Sequence, residues 1–234
     1  MKYKILAIIP ARKGSKSILD KNIVKIYNKE LIRYTFESAN ESRLLTSILL
    51  STDCLRIKNL KPNNIYFNRL RPKRLSGDNA NIIDVIKYET LKMEQLLALR
   101  YDYVMLLQPT SPIRKNKLID RSIKKIIQTK SDSIISVFKV NEPHPKKCFV
   151  AKDKKIFHLF KDANTNQPRQ LLNKVYAPTG AIYLAKRNLL FKKNTFMNLN
   201  TSYILSKDHE YINIDSHKDL ILFKFLLKNK KYSE

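Results

Sequence analysis

Arg12, Lys16 and Lys21, with Gly14 and Ser15 among them, follow directly on the apolar run Ile5-Leu6-Ala7-Ile8-Ile9. Cations, a glycine and a hydroxyl gathered in one loop suit a strongly anionic ligand, and a nucleoside triphosphate fits best. Gly14 can take positive φ, so the loop can fold tightly and turn its N–H groups toward phosphate oxygens while the cations neutralise charge. The run before it lacks polar alternation and reads as a strand covered on both faces. In open α/β sheets a ligand sits just beyond the carboxyl ends of such strands.

Glycine usage points to the same loop and to two others. The chain holds three glycines in 234 residues, where average usage would give about sixteen. Gly14, Gly77 and Gly180 therefore mark places where a special backbone is expected.

The formal charge of +26 suggests nucleic acid or an anionic surface as partner. The Lys and Arg residues are spread along the chain, however, and no basic run is interleaved with the aromatic spacing of an RNA-binding sheet. Neither nucleic acid nor membrane is the expected partner; an acidic small substrate makes better use of the clustered cations. No apolar run approaches the roughly eighteen residues of a membrane span. Cys54 and Cys148 stand apart from each other and from any metal-ligand spacing, which favours a reduced, cytoplasmic protein.

Strands and helices alternate over the first half, implying a mostly parallel sheet with right-handed crossovers. Helices are expected over 31–40, 81–97 and 116–129, and strands over 47–53, 64–67, 103–107 and 133–140. The strand before Gln108-Pro109-Thr110-Ser111-Pro112 is stopped by two prolines, which hold its end as a stiff loop. Residues 141–173, with Pro143, Pro145 and Pro168, cannot form a core alone and read as an extended arm or hairpin that packs on a second subunit. The chain returns through Gly180-Ala181-Ile182-Tyr183 and the strand-like Tyr211 to Ser216. Ser216 reads as the N-cap of a terminal helix with Asp219 at its third position.

These motifs, in this order, resemble the acylneuraminate cytidylyltransferases: Pro10 to Lys16, Ser51-Thr52-Asp53, Arg71-Pro72, Leu106 to Arg114, Pro168-Arg169-Gln170, Gly180 to Tyr183 and Ile214-Asp215-Ser216. The resemblance covers nearly the whole chain, and Leu-Gln-Pro-Thr-Ser-Pro is its most specific piece. It implies one α/β domain over 1–234 with a Rossmann-like three-layer α/β/α nucleotidyltransferase fold, and a homodimer whose 141–173 arm reaches the partner's site. It also implies the reaction. The anomeric hydroxyl of a sialic or related nonulosonic acid attacks the α-phosphorus of CTP, and pyrophosphate leaves with Mg2+ or Mn2+. Legionaminic, pseudaminic and 3-deoxy-octulosonic acids are alternative acceptors, and a non-catalytic nucleotide-binding relative is the alternative of another class.

On the same resemblance, Ala11, Arg12, Lys16, Lys21 and Asn22 bind the triphosphate, with Arg12 and Lys21 as the catalytic charge-stabilising pair. Arg71 and Ala80 approach the cytosine, while Asp78 reads as a cap for the helix that starts at Asn81. Gln108, Lys147, Arg169, Gln170 and Tyr183 are implied sugar-binding residues, with Arg169 delivered in trans to the substrate carboxylate. Asn213 and Asp215 are the implied metal ligands. The chain departs from the pattern where it reads Asn213-Ile214-Asp215 for Asp-Ile-Asp, Thr179 for Asn and Ile82 for a hydroxyl residue at the ribose. An amide carbonyl can replace a carboxylate on magnesium at reduced strength. His144 and His158 read as structural. No side chain is assigned as general base, a task that a metal-bound water or hydroxyl could perform.

Overall fold

A computed structural model describes residues 3–15, 17–114, 117–163, 166, 168–206 and 211–229. Lys16 lies outside these residues, as does the side chain of Arg169. The strands are β1 (Ile5–Pro10), β2 (Lys25–Ile26), β3 (Lys29–Glu30), β4 (Ser47–Ser51), β5 (Tyr103–Leu106), β6 (Ser133–Lys139), β7 (Phe149–Lys152), β8 (Lys155–His158), β9 (Tyr176–Lys186) and β10 (Thr201–Leu205). The α-helices are α1 (Leu31–Asn40), α2 (Leu55–Lys58), α3 (Ile82–Leu97), α4 (Leu118–Thr129), α5 (Arg187–Lys193) and α6 (His217–Lys228).

The unbroken apolar run of β1 does what its composition dictates, lying in the sheet interior between β5 and β4. The six-stranded order is β10-β6-β9-β5-β1-β4. β1 pairs in parallel with β4 and β5, and β6 with β10, whereas β9 runs antiparallel to both neighbours. Successive β1 side chains alternate between two apolar layers. Ile5, Ala7 and Ile9 pack with Ile32 and Phe36 of α1 and Ile119, Ile123 and Ile126 of α4. Leu6 and Ile8 pack on the other face with Ile83, Ile86 and Met93 of α3 and Leu189 and Leu190 of α5. The result is the expected three-layer α/β/α arrangement. A third cluster seats Phe223 and Leu220 of α6 on Ile18, Ile26, Leu31, Ile212 and Ile214, bringing the last helix beside the first loop.

Several local expectations change. Residues 64–67 make one bridge, Leu49 to Tyr66, and no strand. Residues 211–216 are extended but join no sheet; Ile214 N donates instead to Thr110 O at 2.8 Å. Asn81, not Asp78, caps α3, its side chain accepting from Ile83 N at 2.8 Å. The Ser216 cap is present as a full capping box with Asp219. Within the 141–173 stretch, β7 and β8 form an antiparallel hairpin that exposes Phe149, Val150, Ile156 and Phe157. Among the described residues no helix is long and apolar enough to cross a membrane.

Candidate active site

The carboxyl ends of β1, β4 and β5 open onto one cleft of about 280 Å3, lined by residues of the first loop, the 71–80 loop, the start of α3 and the Gln108-Pro109-Thr110-Ser111-Pro112 loop, an elbow after β5. Backbone bonds carry the sheet order into its walls. Ala11 N donates to Ser51 O at 2.9 Å, Arg71 N to Thr52 O at 2.8 Å and Leu107 N to Ile8 O at 3.0 Å. Arg12, Gly14, Lys21, Asn22, Arg71, Ala80, Ile82 and Gln108 all line the cleft, so residues far apart in sequence meet in one place.

Lys21 is buried, and its ammonium donates to Ile214 O at 2.8 Å and to Asp215 Oδ1 at 3.0 Å. An ammonium has three donors. Asn22 braces the same loop by donating to Arg12 O at 3.1 Å. Arg12 pairs with Asp78 at 2.6 Å across the cleft mouth, so an incoming phosphate would compete with Asp78 for that guanidinium.

Arg71 is buried, and its Nε has no hydrogen-bond partner among the described residues. Burial pulls its guanidinium below the usual value, opposed by the charges of Asp53 and Glu89. A buried donor without an acceptor costs about 1–3 kcal/mol, so a ligand acceptor here would relieve an existing penalty. Behind Arg71, Glu89 is buried and accepts from Ser51 Oγ at 2.7 Å; burial pushes its carboxyl up, against that hydrogen bond and the nearby arginines.

Asn213 and Asp215 do share a face, as expected, although on an unpaired segment. Asn213 Nδ2 donates to Asp215 Oδ2, while Asn213 Oδ1 faces Ser111 Oγ at 3.4 Å. Asp215 is therefore the single anion of the pair, and it also carries Lys21. Among the described residues no group of three or more His, Cys, Asp or Glu converges as a metal site. Magnesium, however, commonly takes one or two carboxylates and completes its shell with substrate phosphates and water. The donor set fits an ion that arrives with a triphosphate.

Gly180 shows why glycine was retained. At φ +78, a Cβ there would sit 2.5 Å from Ser111 Oγ and 2.8 Å from Gln108 Oε1. Gly14 also has positive φ, at +68, whereas Gly77 has neither a left-handed backbone nor, among the described residues, an atom within 4 Å of where a Cβ would stand.

Of the other sugar-site expectations, Lys147, Gln170 and Tyr183 do not line this cleft. Tyr183 packs its ring on Phe196, with centroids 5.8 Å apart, and burial pushes its phenol up. Lys147 ends a short 3-10 turn at the start of the arm, and Gln170 belongs to a second turn that lines a separate cleft beside His144. His144 is buried, hydrogen-bonded to Asn173 O at 3.0 Å, and accepts from Lys146 N at 3.2 Å, a structural clasp across the arm base. His158 lies against Phe149 in the exposed hairpin. Thr179 turns inward to Ser136, with hydroxyl oxygens 2.6 Å apart. Ser111 and Arg114 were visible in the motif, but no sequence rule assigned them roles; both prove to tie the elbow to β9.

The sequence profile described as cytidylyltransferase matches residues 6–224. The chain belongs to the cytidylyltransferase family. Relatives of this cytidylyltransferase include an N-acylneuraminate cytidylyltransferase of Escherichia coli, 31% identical over 95% of the chain and 52% of the relative. A pseudaminic acid cytidylyltransferase of Campylobacter jejuni is 27% identical over 96% of the chain and 97% of its own length. A CMP-N,N'-diacetyllegionaminic acid synthase of Legionella pneumophila is 29% identical, covering 96% and 97%. The chain thus spans about half of the first and nearly all of the other two. Among solved structures, a CMP:2-keto-3-deoxy-manno-octonic acid synthetase complexed with CTP superposes with a TM-score of 0.68 at 15% identity, covering 97% of this chain and 99% of the other, which establishes the fold.

Proposed function

We propose that this cytidylyltransferase transfers CMP from CTP to the anomeric hydroxyl of a sialic acid or a closely related nonulosonic acid. The carrying observation is the cleft in which the buried Lys21 and Arg71 converge with the half-buried Arg12 and Gln108 at the strand ends. The acidic-sugar names of the three relatives support the acceptor class.

In the step itself the anomeric oxygen forms a bond to the α-phosphorus, the α–β bridging P–O bond breaks, and pyrophosphate leaves; the hydroxyl proton passes to solvent. Chemistry of this kind asks a protein mainly for positioning and charge neutralisation. Arg12, released from Asp78, and Lys21 stabilise charge on the α-phosphate and the departing pyrophosphate. Arg71 and the backbone near Ala80 receive the base. Gln108 both donates and accepts across a sugar hydroxyl or N-acyl group. Asp215, helped by Asn213, would hold Mg2+ or Mn2+, which supplies charge neutralisation at the phosphates. Arg169, Gln170 and Lys147 serve the partner's site in a homodimer, and the exposed apolar hairpin Phe149–Lys152 and Lys155–His158 supports that use of the arm.

Turnover of CTP, but not UTP, together with a dimeric mass in light scattering, tests this reading. Equal use of both nucleotides would remove the cytosine assignment. Complementation settles the arm: a mixture of Arg12→Ala and Arg169→Ala subunits recovers activity only if Arg169 acts in trans. The non-catalytic alternative draws on Asn213, and magnesium-dependent pyrophosphate release would exclude it.

A further inference from the structure

We propose that Arg114 is a positioning residue that sets Gln108 for the acceptor sugar by clamping the elbow to the bulge in β9. The inference rests on the sugar role of Gln108 given above.

The pairing of β6 with β9 breaks between Ile135 and Val137, where the partner jumps from Tyr183 to Pro178. The β5–β9 register ends at Leu106 and Tyr183. Thr179 to Ile182 therefore bulge out of both ladders beside the elbow, and their backbone needs other partners. Ser136 Oγ accepts Ile182 N at 2.8 Å, and Arg114 Nε donates to Ala181 O at 3.0 Å. The same guanidinium donates through Nη2 to Gln108 O at 2.7 Å and through Nη1 to Thr35 Oγ1 of α1 at 2.9 Å. One planar fork thus holds the backbone on both sides of the place where the Gln108 side chain lies against Gly180.

Arg114 is buried and has neutral acceptors only, with no ion pair among the described residues. Burial pulls its guanidinium down to about 9. A buried cation held by neutral groups is an expensive fastener for a loop, since a carboxylate partner or an apolar side chain would ordinarily be more stable. Its geometry is what an apolar residue could not reproduce: three donors at fixed angles reach three separate elements. A lysine keeps the charge but has no fork, so it cannot hold Gln108 O and Ala181 O together. The proposal is therefore about spacing, and Arg114 need not touch substrate.

A double-mutant cycle on kcat/KM for the sugar isolates the effect. Gln108→Ala should cost about 100-fold and Arg114→Lys about 30-fold, as expected for a displaced positioning group. If Arg114 acts through Gln108, the double variant stays at about 100-fold, far short of the roughly 3,000-fold of independent effects. Directly titrated CTP affinity should change by less than about threefold in Arg114→Lys, whereas a general loosening of the fold would weaken both substrates. Thr35→Val removes only the Nη1 acceptor and replaces Arg114→Lys in the cycle should that variant not fold; a loss of about fivefold, absent in the Gln108→Ala background, is expected. Multiplicative losses would overturn the clamp while leaving the sugar site standing. Unchanged sugar kinetics in Gln108→Ala would instead overturn the assignment of Gln108, and the clamp with it.

Discussion

Replacing each of the three glycines by alanine should give a graded series whose order follows from two local properties. Gly180 has both: φ +78, and two polar side-chain oxygens, Ser111 Oγ and Gln108 Oε1, at 2.5 and 2.8 Å from where a Cβ would stand. A left-handed backbone costs an L-residue about 1–2 kcal/mol, and forcing an atom into an occupied space adds about 1–3 kcal/mol. Gly180→Ala should therefore lose about 2–5 kcal/mol, or about 10 °C in Tm for a chain of this size. Gly14 has the backbone term alone, at φ +68 with no atom of the described residues within 4 Å of a Cβ, so Gly14→Ala should lose about 1–2 kcal/mol. Gly77 has neither, and Gly77→Ala should stay within about 0.5 kcal/mol of the parent. Thermal or urea unfolding of the three variants reads the series directly. Activity adds an independent axis: Gly180→Ala displaces Gln108 and should lower kcat/KM for the sugar, whereas Gly14→Ala should weaken CTP. Should Gly180→Ala melt with Gly77→Ala, the close approach of the elbow to β9 would be wrong, and the geometry of the sugar side with it.

Arg12→Ala and Lys21→Met should each lower kcat by about 100- to 1,000-fold, as loss of a charge-stabilising donor does. Calorimetry should show both still binding the base end of CTP; near-normal turnover in both would remove the first loop from the chemistry. Asn213→Asp places a second carboxylate beside Asp215 and should tighten Mn2+ binding about tenfold in the presence of CTP, read by electron paramagnetic resonance without turnover. In chelator the same variant should melt below the parent, because two adjacent carboxylates repel. Unchanged manganese affinity would place the ion elsewhere. Burial pushes the Asp219 carboxyl up, but hydrogen bonds from Asp215 N, Ser216 N and Ser216 Oγ, with the Lys21 charge, outweigh it and hold it low. A carboxylate lowered on folding stabilises above its unfolded value and loses that contribution as pH falls through its folded value. Asp219→Ala should therefore cost about 1 kcal/mol at pH 7, and the gap to the parent should close on acidification below about pH 4. A gap independent of pH would mean the capping box is not held by the charged form.

What was legible in the chain follows from how local each signal is. β1 and β5 were plain because strands buried on both faces are written as unbroken apolar runs, and α1 because its apolar side chains repeat at helical spacing. β10 was missed: Thr201–Leu205 is an edge strand with polar residues at its start, and its partner β6 is distant in sequence. The antiparallel course of β9 and its bulge are likewise decided by neighbours, which no local pattern encodes. The stretch 211–216 misled for an instructive reason. Its Ile212 and Ile214 are buried and its Asn213 and Asp215 exposed, the alternation of a strand, yet it packs on α6 and the elbow with no ladder. The first loop was readable as an anion site from its own residues, and Arg71 and Gln108 only through the resemblance to a family; the fold brings all three to one cleft. Arg114 was not readable, since its task depends on Thr35 and Ala181, which only the fold brings near.

Pyrophosphate release from CTP and magnesium, measured against N-acetylneuraminic, legionaminic, pseudaminic and 3-deoxy-octulosonic acids, tests the central claim most directly. The account predicts release with a nine-carbon acid, with loss of that release in Lys21→Met. Silence across the panel from folded enzyme that still binds CTP, or release with the eight-carbon acid alone, would contradict it.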